Sequence, residues 1–262
     1  MIGAIIGDIV GSKFEFNNTF DYNFPLFDKG CNYTDDTICT IAIADAILNA
    51  KNGMPTDRDF KLSLQYWCRK HPHPMGAYGA SFANWVNSPT PQPYDSFGNG
   101  AAMRVSPVGF AFDSSEDVMR EAINSAKVSH NHVEGIIGAS AVALAILSCR
   151  KRNGKAELLS IVQNLYGKDW TASIPPQGRF DETCQGCVPL AFNIILKSND
   201  FVDAIRLTVS YGGDSDTLGA IVGGIAEALY GVPQVLREKA LSYLTPKMVD
   251  IVTKFENKYG NK

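Results

Sequence analysis

The sequence lacks clusters of lysine and arginine, and it carries little net charge. Its 262 residues include 24 basic and 27 acidic side chains, which give a formal net charge of -3 at pH 7. Nucleic-acid binding depends largely on positive charge that meets the phosphate backbone. We therefore expect no direct binding of nucleic acid by this chain.

Export and membrane signals are also scarce. The apolar start, residues 1–10, has no basic residue before its apolar run and contains Asp8, so it is predicted to be neither a signal peptide nor a membrane span. The 6 cysteines are scattered along the chain, a pattern that without an export signal favours reduced thiols, a cytoplasmic location and no membrane partner. Cys184 and Cys187 form one CxxC pair without the further ligands of a zinc site, and we predict that both are buried.

Sustained alternation of apolar and polar residues, which is typical of strands, is missing, and so are low-complexity linkers and internal repeats. Helical spacing instead predicts a single all-α domain over residues 1–262. The expected helices cover residues 1–11, 38–48, 56–70, 115–130, 132–147, 156–166, 188–196, 200–210, 218–229, 233–244 and 246–259. Two loops rich in glycine and proline, residues 75–109 and 167–183, lie between them, and aromatic side chains in the first loop indicate order.

Two acidic motifs stand at opposite ends of the chain, each at the start of a predicted apolar helix. They are Thr34-Asp35-Asp36 and Asp214-Ser215-Asp216-Thr217. If the two helix starts meet, their oxygen atoms favour Mg²⁺, Mn²⁺ or Ca²⁺ over zinc. Two independent acidic helix caps would produce the same pattern, and spacing alone does not separate the two interpretations.

Six segments in a fixed order add a further signal. They are IGAIIGDIVGSKFEF, YTDDT, YGA, SFGNGAAMRVSPVG, SAKVSH and SYGGDSDTLGAIVGGIAEALYG. In sequence and order they resemble the ADP-ribosylglycohydrolase family, which contains dinitrogenase reductase-activating glycohydrolase and the ADP-ribosyl-acceptor hydrolases. The resemblance spans nearly the whole chain.

The resemblance implies a compact all-α bundle with two Mg²⁺ or Mn²⁺ ions at the bottom of a cleft. Its implied metal ligands are Thr34, Asp35, Asp36, Asp214, Asp216 and Thr217. Glu15 matches a glutamate on a mobile loop that acts in catalysis, and it becomes the candidate general acid or base. Without the resemblance, Glu15 would be interpreted as a solvated loop carboxylate. Asp8 is interpreted as a hydrogen-bond acceptor near the site.

A second group of residues is implied to bind ADP-ribose. It comprises Gly79 beside the adenosine, the glycine-rich loop of Ser96, Phe97, Gly98 and Asn99, and His130 near the diphosphate. Glycines there let backbone amides approach phosphate oxygens without a Cβ in the way. Taken alone, His130 would be a histidine at a helix end.

The implied activity is release of ADP-ribose from an ADP-ribosylated protein or polymer by cleavage at the anomeric carbon of the ribose. Residues 72–87 contain no carboxylate to receive a guanidinium leaving group, so an O-linked acceptor is slightly favoured over arginine, although Asp95 or another loop could supply one. The alternatives are an inactive ADP-ribose-binding or crystallin-like structural relative, and a metal hydrolase of another nucleotide-like substrate.

Overall fold

A computed structural model describes residues 1–260, and their regular structure is helical. These residues form the α-helices α1 Ile2–Ser12, α2 Asp35–Asn49, α3 Asp57–Lys70, α4 Ala80–Asn87, α5 Gly100–Met103, α6 Ser106–Ala111, α7 Ser115–Lys127, α8 Val133–Arg150, α9 Gly154–Tyr166, α10 Cys184–Lys197, α11 Phe201–Tyr211, α12 Ser215–Tyr230, α13 Gln234–Leu241 and α14 Pro246–Tyr259. Within the described residues there are no strands, and β pairing is limited to two isolated bridges. The prediction of an all-α fold is confirmed.

The closest helix packing is between α1 and α12, which come from opposite ends of the chain. A methyl group added to Gly7 would lie 1.8 Å from the carbonyl oxygen of Gly219, and one added to Gly3 would lie 2.3 Å from that of Gly223. Only glycine allows backbones to approach so closely. Because the residue numbers rise along α1 as they fall along α12, the helices run antiparallel. The end of α1 therefore lies beside the start of α12.

The start of α2 joins the same place. Thr34 caps this helix, with its hydroxyl accepting a hydrogen bond from the amide of Asp36 at 3.2 Å. The following residues of α2 are almost entirely buried, so the helix is anchored by apolar contacts and its acidic first turn is held in the interior.

Helix α8 is long and apolar enough to cross a membrane by the criteria of length and composition, the one such helix in the described part of the chain. However, 67% of this segment is buried against other helices. Its position is that of a central core helix, and its apolar surface is accounted for by packing.

Two sequence predictions need correction. Residues 75–109 are not one loop, because α4 and α5 lie within them and α6 begins at Ser106. Helix α10 begins at Cys184, before the expected start at residue 188, since Thr183 caps it by accepting a hydrogen bond from the amide of Gly186 at 3.1 Å. Pro189 then falls inside the helix.

Candidate active site

The ends of α1, α2 and α12 meet around Asp8, which is fully buried. Its carboxylate accepts hydrogen bonds from the amides of Thr34 and Thr37, each at 3.0 Å, and from both of their hydroxyl groups. Asp8 thus ties α1 to the first turn of α2. The sequence interpretation of Asp8 as a hydrogen-bond acceptor beside the site agrees with this arrangement.

The start of α12 lacks the side-chain cap that two independent acidic helix caps would require. Asp214 occupies the N-cap position, yet its side chain accepts no hydrogen bond from the amides of α12. Its carboxylate instead accepts one from the side-chain amide of Asn99 at 2.7 Å. Asp214 therefore reaches the loop before α5 and does not cap its own helix.

The two acidic motifs meet through a pair of side chains. The hydroxyl of Thr217 donates to Oδ2 of Asp36 at 3.3 Å, across 181 residues of sequence. Glu15, Asp214 and Asp216 also approach each other, with one carboxylate oxygen from each within 4.8 Å of the other two. Two separate acidic helix caps would not converge in this way.

Burial and mutual repulsion disfavour the ionised form of the carboxylates in this cluster. Burial, reinforced by the charge of Asp214, raises the pKa of Glu15 to about 7. Burial first, and neighbouring carboxylates second, raise the pKa values of Asp35, Asp36 and Asp216 well above the ordinary value. A bound cation would relieve the repulsion that contributes to these raised pKa values.

The polar atoms of the cluster fit a hard divalent cation. Oδ1 of Asp36 and Oδ1 of Asp216 are buried without a hydrogen-bond partner, although buried polar atoms are nearly always paired. Asp216 is one of three carboxylates that converge, with Glu15 and Asp214, and Asp36 lines the same cleft. A set made only of carboxylate and hydroxyl oxygens is the donor type that Mg²⁺ and Mn²⁺ prefer.

The carboxylate cluster lies in a cleft of about 460 Å³. Among the residues that sequence analysis selected, the cleft is lined by Glu15, Asp35, Asp36, Gly79, Ser96, Phe97, Gly98, Asn99, His130, Asp214, Asp216 and Thr217. Thr34 does not line it. Thr34 is fully buried behind Asp36, with its hydroxyl hydrogen-bonded to Asp8 and within 3.3 Å of Oδ2 of Asp36. Its role as a metal ligand stays a prediction.

A second cavity, of about 540 Å³, lies near the other end of α12. Its lining includes Glu227 and Glu256 together with Arg150 and Arg152, which is a balanced set of charges. The smaller cleft is the better candidate for chemistry, because it concentrates carboxylates whose pKa values are displaced.

The glycine-rich loop of the cleft is held by backbone contacts. The amide of Asn99 donates to the carbonyl of Glu182 at 2.7 Å, and the amide of Cys184 donates to the carbonyl of Phe97 at 2.9 Å. This pairing connects the loop before α5 to the loop before α10. It fixes Asn99 where its side chain reaches Asp214.

Sequence reasoning did not identify several residues at or beside the cleft, four of which hold or complement other groups of the site. They are Asn18, Arg104, Ser129 and Glu182. Arg104 and Glu182 line the cleft, whereas Asn18 contacts Glu15 and Ser129 contacts His130, two residues that do. Each of them contacts a partner that is distant in sequence or is a single buried side chain. Neither feature leaves a periodic pattern in the sequence. The only available signal was the position of Arg104 and Ser129 within segments SFGNGAAMRVSPVG and SAKVSH.

Comparison with known proteins agrees with the fold. The family model described as ADP-ribosylglycohydrolase matches residues 1–256, and the chain belongs to this family. It is similar to the human protein named ADP-ribosylhydrolase ARH3, with 25% identity over 313 residues, 90% of this chain and 85% of the human protein.

A bacterial relative is also similar. The ADP-ribosylarginine hydrolase Tri1 of Pseudomonas putida strain GB-1 is 24% identical over 276 residues, 88% of this chain and 70% of that protein. A solved structure titled ADP-ribosylglycohydrolase-related protein complex superposes with a TM-score of 0.74 at 21% identity, covering 98% of this chain and 97% of that one. At this identity the superposition supports the shared fold.

Proposed function

We propose that the protein is a hydrolase that depends on two Mg²⁺ or Mn²⁺ ions and releases ADP-ribose from ADP-ribosylated acceptors. The observation that supports this most is the convergence of Glu15, Asp214 and Asp216 with the unpartnered oxygen atoms of Asp36 and Asp216. Membership of a family of ADP-ribosyl hydrolases supplies the substrate class.

The residues proposed to hold the ions are Thr34, Asp35, Asp36, Asp214, Asp216 and Thr217. Bound there, Mg²⁺ or Mn²⁺ would polarise ribose hydroxyl groups and a water molecule. The protein itself supplies the orientation of the ligands, since Asp8 accepts a hydrogen bond from Thr34 and Asn99 donates one to Asp214.

Glu15 is proposed as the general acid or base. It lies on the loop after α1, is partly buried and lines the cleft, and its displaced pKa of about 7 lets it exchange a proton near neutral pH. It would give a proton to the departing acceptor atom, or take one from water, as the bond at the anomeric carbon breaks. The rest of the cleft wall positions the ADP-ribose, with Gly79, Ser96, Phe97, Gly98, Asn99 and His130 as the proposed binding residues.

The sequence slightly favoured an O-linked acceptor over arginine, but the structure leaves both linkages open. No carboxylate lies in residues 72–87, but Glu182 and Asp95 both line the cleft. Either could receive a guanidinium group, so the preference for O-linked acceptors loses its main reason. We therefore propose serine-linked and arginine-linked ADP-ribose as the two substrates to compare.

The test is ADP-ribose release from serine-linked, arginine-linked and polymeric substrates, with Mg²⁺, with Mn²⁺ and with a chelator. We expect release from at least one substrate with either ion, and none in the chelator. Binding of ADP-ribose without release from any substrate would instead support the inactive, ADP-ribose-binding alternative. If the arginine-linked substrate is cleaved, a comparison of Glu182→Gln with Asp95→Asn would show which carboxylate receives the guanidinium group.

A further inference from the structure

Three buried side chains, Arg104, Ser129 and His130, form a hydrogen-bonded chain at the wall of the cleft. Arg104 follows α5 and is fully buried, and its Nη2 donates to the hydroxyl of Ser129 at 2.8 Å and to the carbonyl of Ser125 at 2.9 Å. The hydroxyl of Ser129 lies 2.8 Å from Nδ1 of His130. His130 lines the cleft, and Ser129 is completely inaccessible to solvent.

The direction of these hydrogen bonds follows from what each group can donate. A guanidinium group has donors only, so the Ser129 oxygen must accept from Arg104. The Ser129 hydroxyl hydrogen then needs an acceptor, and Nδ1 of His130 is the one within reach among the described residues. A proton on Nδ1 would leave that hydroxyl hydrogen buried without a partner, which is costly.

The remaining ring nitrogen of His130 faces the glycine-rich loop. A methyl group added to Gly100 would lie 2.9 Å from Nε2, and one added to Gly98 would lie 3.7 Å from it. Tyr94 and Phe82 pack against the ring, with centroids 5.5 and 6.2 Å away. The ring is thus held in place, and Nε2 is directed to the part of the cleft that the loop encloses.

We propose that Arg104 and Ser129 are positioning residues that fix His130 in the tautomer with its proton on Nε2, so that it donates a hydrogen bond to a phosphate or hydroxyl oxygen of the ligand. The proposal rests on the proposed function for the identity of that ligand, for which ADP-ribose is the probe. Burial, and second the charge of Arg104, hold the pKa of His130 well below its ordinary value, in agreement with a neutral ring.

The tautomer is measured directly in the free protein by long-range ¹H–¹⁵N NMR of the histidine rings, with His130 assigned by its loss in His130→Ala. We expect a neutral ring with the proton on Nε2. In Ser129→Ala, we expect the Nδ1 resonance to move toward that of a nitrogen without a hydrogen bond. A proton on Nδ1, or on both nitrogens at neutral pH, would overturn the proposal.

Calorimetry with ADP-ribose tests whether Ser129 acts through His130. We expect Ser129→Ala to weaken binding roughly tenfold, as for one lost or misdirected hydrogen bond, and to have no further effect in a His130→Ala background. Ser129→Thr keeps the hydroxyl and should restore binding. An equal loss in both backgrounds would contradict the proposal.

Ser125→Ala is the matched control. It removes a buried hydroxyl from the same segment, but that hydroxyl donates to the carbonyl of Ala122, and Arg104 contacts only the backbone carbonyl of Ser125. Binding of ADP-ribose should be unchanged in this variant. Because the NMR measurement needs no turnover, a protein that fails to hydrolyse any substrate would refute the proposed function and leave the tautomer result standing.

Discussion

The hydroxyl of Thr217 donates a hydrogen bond to the carboxylate of Asp36 at 3.3 Å, although the two residues lie in motifs at opposite ends of the chain. This contact joins the first turns of α2 and α12 into one acidic site. It also means that the carboxylates meet only when the protein folds. Folding therefore builds a repulsive cluster, and several measurable consequences follow from that repulsion.

Replacing Asp216 with asparagine should remove metal-dependent activity without unfolding the protein. We expect ADP-ribose release to fall by about 10²-fold or more, because a metal-binding carboxylate is lost, and the stabilisation by Mg²⁺ in thermal unfolding to disappear. The metal-free variant should be at least as stable as the metal-free parent, since a buried and repelled carboxylate is removed. Asp250→Asn, which changes an exposed surface ion pair, is the control.

The effect of Mg²⁺ on stability should depend on pH. The pKa values of Glu15, Asp35, Asp36 and Asp216 are raised by folding, so these groups stabilise the metal-free fold at low pH and lose that contribution as pH rises, for Glu15 through about 7. A divalent cation must displace the same protons. We therefore expect the Mg²⁺-induced rise in Tm to shrink between about pH 7.5 and about pH 5.5.

Differential scanning fluorimetry with and without Mg²⁺ measures this difference. Histidines with lowered pKa, His71 and His130, oppose the trend in each sample, but they contribute equally to both and cancel in the difference. A Mg²⁺-induced rise in Tm that is constant across this range would show that the displaced carboxyl protons are not linked to metal binding.

Asn18 should connect the Glu15 loop to the start of α12. Its side chain accepts a hydrogen bond from the amide of Gly213 at 2.8 Å and donates to the carbonyls of Gly213 at 3.0 Å and Phe14 at 2.6 Å. Asn18→Ala loses these bonds and frees the loop, so we expect kcat to fall about tenfold with a smaller change in KM. Steady-state kinetics measure this effect, with Asn17→Ala, which changes an exposed neighbour, as the control. An equal loss in both variants would show that the effect does not depend on the bonds between Asn18 and Gly213.

Replacing Glu15 with glutamine should separate proton transfer from binding. We expect kcat to fall by about 10²- to 10⁴-fold, the usual contribution of a general acid or base, with ADP-ribose affinity nearly unchanged. Calorimetry and single-turnover assays measure the two effects. An active Glu15→Gln enzyme would assign the proton transfer to another group in the cleft.

The contact between α1 and α12 should tolerate no side chain at Gly7. Its added methyl group would overlap the carbonyl of Gly219, so we expect Gly7→Ala to lower the unfolding free energy by more than the 1–3 kcal/mol or so of ordinary overpacking and to weaken Mg²⁺ binding. In Gly224→Ala, on α12, the nearest atom is 3.1 Å away, so a smaller loss is expected. Chemical denaturation that ranked the two variants in the reverse order would show that α1 and α12 can separate at little cost.

The sequence by itself determined most of the helices and both acidic motifs, because apolar spacing and helix-start residues act locally. Thr34 and Asp214 each precede a helix as expected, and the ordered family segments indicated the class of chemistry. Local signals also misled where tertiary contacts dominate. Glycine and proline suggested a loop over residues 75–109, but burial in the core supports three short helices there.

Only the tertiary structure decided which groups meet. The approach of Gly7 to Gly219 aligns two chain ends, the side chain of Asn18 reaches Gly213, and Arg104 reaches Ser129. Likewise, Thr34 lies behind Asp36 and not on the cleft wall, a distinction that its motif does not contain. The physical reason is that hydrogen bonds and close packing depend on distances of a few ångströms between segments far apart in sequence, whereas helix periodicity and capping depend on neighbours a few residues away.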